Sequence, residues 1–197
     1  MASILNVDQI NNAAGTSGIA LDASTGKASF PNSVTIPNGA TMPAGSVLQV
    51  VQTSTDATSA VSTATYTSVG LDVNITPTSS SSKILITVCG SFGNSQDTYG
   101  GTRLYRGATE IGGTSNVGNR NGYAFPINER SVDGPWEAYM ASYTFLDSPA
   151  TTSQITYSLK VAKHYGTSIM VNRSYNDVDA SYGWRSRSSI VVMEIAQ

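Results

Sequence analysis

The side chains able to carry reaction chemistry are few. His164, in "VAKHYGTS", is the single histidine, and Cys89, in "KILITVCGSF", the single cysteine. A Ser-His-Asp triad would have to use His164, yet no G-x-S-x-G elbow occurs. A histidine closing a strand at a turn is the expected reading. Zinc sites need three or four nitrogen, sulfur or oxygen ligands, and one Cys with one distant His does not supply them. Paired carboxylates could cleave a glycosidic bond. The pairs available are Glu129 with Asp133 and Asp177 with Asp179, with Glu137 beside them. Acids in loops are ordinarily solvated, and the chain is short for a polysaccharide-cleaving enzyme. "NDVD" offers oxygen ligands but lacks the further acids and the glycine of a calcium loop. "GGTSNVGNRNG" is glycine-rich, but no G-K-[ST] follows and no helix opens there, so it does not read as a phosphate cradle. The expectation is no enzyme, no metal and no cofactor.

Binding fits these residues better than catalysis. A sugar offers an apolar ring face, which an aromatic side chain covers, and hydroxyls, which planar polar groups satisfy. Tyr99, Tyr123, Tyr175, Tyr182 and Trp184 stand among Asn121, Asp177 and Arg185 in stretches with long loops. These eight residues are the candidate binding set. Trp136, at a strand start, is expected in the core instead. Tyr175 and Trp184 could equally be buried.

Composition limits the partners. Charged residues make up 12% of the chain, the formal net charge is −2, and the densest basic spot is Arg185 with Arg187 in "GWRSRSS". Nucleic-acid binding draws on clustered Lys and Arg, so none is expected. No window approaches the ~18 apolar residues of a membrane span, and "MASILNVDQINNAAG" has no basic stretch followed by an apolar one. Neither membrane insertion nor secretion by its own signal is expected; the protein would be made in a cytoplasm.

The elements that must position the binding set read as strands. Thr, Val, Ile and Tyr are abundant and helix builders scarce. "SVLQVVQT" (46–53), "ATYTSVGLDVNITP" (64–77), "SKILITVCGSF" (82–92), "TRLYRGATEIGG" (102–113), "WEAYMASYTFLDS" (136–148), "SQITYSLKVAKH" (153–164), "TSIMVNRS" (167–174) and "SSIVVMEIAQ" (188–197) each carry strand character. "TRLYRGATEIGG" predicts a hairpin turning at Arg106–Gly107. About eight strands split by turn signals predict an all-β antiparallel sandwich or jelly roll. Cys89 is expected to be a buried strand thiol. Residues 113–135 show no clear element, and 172–189 form a second long loop. One helical turn or two in "SILNVDQINNA" could place Ile4, Val7 and Ile10 on one face.

Before Gly45 the composition changes. Residues 1–45 carry Asp8, Asp22 and Lys27 as their charges, with dense Gly and Pro, yet Leu21, Phe30, Val34 and Ile36 recur through them. Three readings are open: a disordered linker, edge strands added to the sandwich, or a shaft in which identical chains share an axis. On residues alone, linker and shaft stand level.

"ILNVDQI" (4–10), "GIALD" (18–22), Phe30, "VTIP" (34–37) and "GSVLQVVQ" (45–52) resemble the N-terminal part of bacteriophage tail-fibre and related virion fibre proteins. "LDVNITPTSSSSKILITV" (71–88), "TYSLKVA" (156–162), "VNRS" (171–174) and "SSIVVMEIAQ" (188–197) are similar to the heads of such fibres. Residues 93–135 carry no part of the resemblance. It implies a homotrimer found on the virion, at the tail or the capsid. Residues 1–17 would attach to other virion proteins. Residues 18–45 would form a shaft with Leu21, Phe30, Val34 and Ile36 as shared rungs. Residues 46–197 would form a jelly-roll knob similar to tumour-necrosis-factor-like domains. The knob would bind a host-surface glycan or protein, for which the eight residues chosen above by residue type are the candidates. A purely structural capsid fibre or decoration protein, and a polysaccharide-cleaving fibre, are the alternatives.

Overall fold

The computed structural model describes residues 9–11, 17–21, 28–29, 42–94, 97–128, 136 and 138–197. They fall into two units, Met1–Thr41 and Met42–Gln197. In the first, β1 (Gln9–Asn11), β2 (Ser17–Leu21) and β3 (Ala28–Ser29) form an antiparallel sheet in the order β1-β2-β3. The helical reading of "SILNVDQINNA" therefore fails at Ile10, which pairs with Ile19 in this sheet. Leu21 ends β2, while Phe30, Val34 and Ile36 lie outside the described residues.

The second unit is all-β and antiparallel. Its strands are β4 (Val47–Thr55), β5 (Ser59–Val61), β6 (Thr67–Ile75), β7 (Lys83–Asn94), β8 (Tyr99–Arg106), β9 (Thr109–Gly112), β10 (Pro126–Asn128), β11 (Tyr139–Asp147), β12 (Ile155–Tyr165), β13 (Ile169–Val171) and β14 (Ser188–Ile195). One sheet runs β10-β8-β12-β6 with β9 also on β8; the other runs β4-β14-β7-β13-β5 with β11 also on β7. The hairpin expected at Arg106–Gly107 forms between β8 and β9, where Gly107 takes φ +57°.

Period-2 alternation sends one side of each strand inward. Leu71, Val73 and Ile75 of β6, Ile84, Ile86 and Val88 of β7, Leu159 and Val161 of β12, and Ile190 and Val192 of β14 bury into one core between the sheets, consistent with a β-sandwich. Glu194 continues the inward side of β14 and is fully buried. Gln49 Nε2 donates to its Oε2 at 2.6 Å, and the Thr78 N–H and hydroxyl each donate to its Oε1 at 2.8 Å. Burial opposes the charge, but these donors outweigh it and hold the carboxyl below its ordinary range.

The outward side of β4, β14, β7 and β11 is unusual. Register lines up Val50, Met193, Leu85 and Leu146 across four strands, then Gln52, Val191, Thr87 and Thr144, then Ser54, Ser189, Cys89 and Ser142. These rows hold no charge, and Val50 and Leu146 are 55% and 49% exposed. Cys89 is half-buried on this outer side, not in the core. The run "KILITVC" alternates, and Ile84, Ile86 and Val88 take the inner positions.

Strand directions define two ends. β4 begins beside the end of β14, where the Gly45 N–H donates to the Ala196 carbonyl at 2.9 Å. Glu194 and the Arg106–Asp147 pair lie at this end. At the other end β4, β7 and β12 finish while β8, β11 and β14 begin.

Candidate functional site

The eight candidate residues do not form one site. They gather in two clusters, both at the end opposite the Gly45–Ala196 contact. Tyr99, Asn121 and Tyr123 belong to the first; Tyr175, Asp177, Tyr182, Trp184 and Arg185 belong to the second.

The first cluster is built on paired strands. Tyr99 starts β8, so it sits on a strand rather than in a loop. β12 places Tyr165 opposite it. The two rings stack with centroids 5.3 Å apart and planes 17° from parallel, and they are 44% and 56% exposed. Tyr165 was not among the sequence candidates. The signal lies in "KHYG", but only the register reveals its partner.

The segment after β9 completes this cluster. Within 113–135, where no element was expected, the chain makes a tight turn: Val117 and Arg120 exchange backbone hydrogen bonds of 3.0 and 3.1 Å. It then returns along β8, with Ala124 N–H to Thr102 O at 2.8 Å and Thr102 N–H to Phe125 O at 3.1 Å, and enters β10. Asn116 Oδ1 accepts from the Gly122 N–H at 2.9 Å, and Arg103 donates to the Gly122 carbonyl. The Tyr123 ring lies on Gly101, where any Cβ would stand 2.1 Å from it. The result is a depression of about 330 Å³ bordered by Tyr99, Asn119, Arg120, Asn121, Tyr123 and Pro126.

Behind Tyr123, His164 packs between Tyr123 and Tyr66, with centroids 5.7 and 6.2 Å away. Its Nε2 is buried without a hydrogen-bond partner among the described residues. Burial first, and the Arg103 charge second, push its pKa below the ordinary value. Burial also pushes the Tyr66 phenol up to about 12. His164 thus packs between two aromatic rings.

The second cluster sits on the loop between β13 and β14. Its root is Asn172, fully buried and at φ +59°. The Asn172 amide donates to the Thr55 and Ala57 carbonyls at 3.0 and 2.9 Å and accepts from the Ser188 hydroxyl at 2.6 Å. That hydroxyl accepts from the Ser91 N–H at 2.9 Å. A fully satisfied polar knot of this kind fixes both ends of the loop. Outside it, Asp177 pairs with Arg185 at 2.6 Å and lies 3.9 Å from Arg173. Trp184 is 56% exposed and Tyr175 half-buried. Tyr182 meets Trp136 edge-on at 4.9 Å. Trp136 is thus half-buried against an exposed loop ring, not in the core as expected, because β11 begins only at Tyr139.

Among the acids considered for glycoside cleavage, Glu129, Asp133 and Glu137 lie outside the described residues. Asp177 is committed to its arginines. Among the described residues no group of three His, Cys, Asp or Glu is placed to hold a metal. No described helix is long and apolar enough to cross a membrane. No protein-family model matches the chain, and no curated protein matches it.

Proposed function

We propose that the chain is a structural virion fibre protein of a bacteriophage, a homotrimer whose C-terminal knob binds a host-surface glycan during adsorption. The observation that carries this reading is the placement of both aromatic clusters. The chain enters the knob at Gly45, beside Ala196, and Tyr99, Tyr165, Tyr182 and Trp184 crowd the opposite end. The end of this unit away from Gly45 is the one proposed to meet the host surface. Exposed aromatic rings beside Asn119 and Asn121 suit a sugar's apolar face and its hydroxyls.

Strand order supports the jelly roll. The chain shuttles between sheets so that β4-β14-β7-β11 faces β6-β12-β8-β9. The outer rows of β4, β14, β7 and β11 support self-association: they carry no charge, and one of them, Val50, Met193, Leu85 and Leu146, is wholly apolar. Three shallow sites on one trimer would raise avidity by ~10²–10⁴ without new contacts. The tail, or alternatively the capsid, is the proposed location.

Labelled full-length chain incubated with host cells tests the reading. Saturable binding is expected, weakened at least tenfold when Tyr99 and Tyr165 are both changed to Ala. A trimeric protein that does not adsorb would point instead to a purely structural knob.

A further inference from the structure

Among the described residues, depressions lie beside Arg103, Arg185 and Arg120, and they differ in whether the arginine has a counter-charge. In the first, Arg103 donates to Glu110 at 2.6 Å. In the second, Arg185 holds Asp177 at 2.6 Å. Elsewhere Arg106 pairs with Asp147 and Arg187 with Asp56, both at 2.9 Å. Among the described residues, Arg120 has no carboxylate partner and no Asp or Glu borders its depression. Its backbone is fixed by the Val117–Arg120 turn, so the side chain projects from a defined point.

We propose that the depression between Tyr99 and Arg120 takes an anionic saccharide. The sugar ring lies on tyrosine, and its acid group pairs with the Arg120 guanidinium. Asn119 and Asn121 flank the arginine and offer amide donors and acceptors to the hydroxyls. A guanidinium fork matches a carboxylate or phosphate in two parallel hydrogen bonds. The acid group is the chemistry shared by two sources, a uronic acid and a sugar phosphate. The second cluster, whose arginine is already neutralised, would take neutral contacts only. This inference rests on the receptor-binding reading and narrows its ligand.

The test is titration of the full chain, followed by NMR, with trigalacturonate and glucose 6-phosphate, each beside its neutral counterpart, trigalactose and glucose. One or both acidic probes should bind more tightly than the neutral partner, and added salt should weaken them. Arg120→Gln should cost about tenfold toward the acidic probe, change the neutral one by less than twofold, and be partly rescued by Arg120→Lys. Tyr99→Ala should weaken both. Failure of both acidic probes to exceed their neutral partners overturns the inference, as does an Arg120→Gln variant that binds them unchanged. Cell adsorption separates the two levels. Adsorption kept in Arg120→Gln but lost in the Tyr99→Ala, Tyr165→Ala double variant overturns the anionic ligand and leaves receptor binding standing. Wild-type protein that fails to adsorb overturns receptor binding, and the titration still decides the ligand.

Discussion

Tyr99 and Tyr165 stack ring on ring, 5.3 Å between centroids, because β8 and β12 pair with these two residues opposite each other. The pair stands at the ends of two paired strands, with both rings about half exposed. A core residue would not be left so open. Changing Tyr165 to Ala should therefore leave stability nearly unchanged, within about 0.5–1 kcal/mol, while weakening sugar binding. Urea unfolding and sugar titration on the same variant measure the two effects separately.

Gly101 governs Tyr123. Any side chain at 101 meets the Tyr123 ring, and the backbone on either side of that ring is tied to β8. Gly101→Ala should cost about 1–3 kcal/mol and displace the ring. Loss of the upfield ring-current shifts around residues 101–123, together with a lower denaturation midpoint, would record it.

Glu194 predicts a pH dependence. Its folded pKa lies below the ordinary value of 4.5, so its stabilisation is present above that pH and is lost as pH falls through the folded pKa. Stability measured from pH 6 down to pH 2 should fall in that window, and Glu194→Gln should flatten the fall. Glu194→Ala leaves the Gln49 and Thr78 donors unpaired and should cost about 2–4 kcal/mol.

Asn172 combines a left-handed backbone with a buried amide. Asn172→Ala loses the bonds to Thr55, Ala57 and Ser188 and keeps the strained φ; it should cost about 2–4 kcal/mol. Asn172→Gly relieves the backbone and should be milder by about 1 kcal/mol. Equal midpoints for the two variants would mean that φ contributes nothing.

The proposed homotrimer would use the outer rows of β4, β14, β7 and β11 as its contact. Sedimentation should give three times the 20.6 kDa chain, and Leu146→Asp should give a folded monomer. Cys89, in the Ser54–Ser189–Cys89–Ser142 row, should react slowly with a maleimide in the wild type and quickly in that variant.

The strands were legible because alternation of Val, Ile, Leu and Tyr marks a two-faced sheet directly. Even buried Glu194 is on that ruler: Ile190, Val192 and Glu194 share one side of "SSIVVMEI". The faces themselves were not legible. Nothing in "KILITVC" says whether Leu85 and Cys89 face a second layer, so the expectation of a buried strand thiol does not hold for half-buried Cys89. The binding set was half legible. Residue type picked out Tyr99, Asn121 and Tyr123, but their grouping depends on β8–β12 register and on a return segment held by Asn116 and Arg103. Those are contacts between distant residues. Tyr165 was missed for the same reason, and the idle charge of Arg120 appears only once every other described arginine has found its acid.

The most direct test of the central claim is adsorption of fluorescently labelled full-length chain to host cells, compared with the Tyr99→Ala, Tyr165→Ala double variant. The account predicts saturable binding by the wild type and at least tenfold weaker binding by the variant, with both proteins trimeric. Equal binding by the two, or none by either, would contradict it.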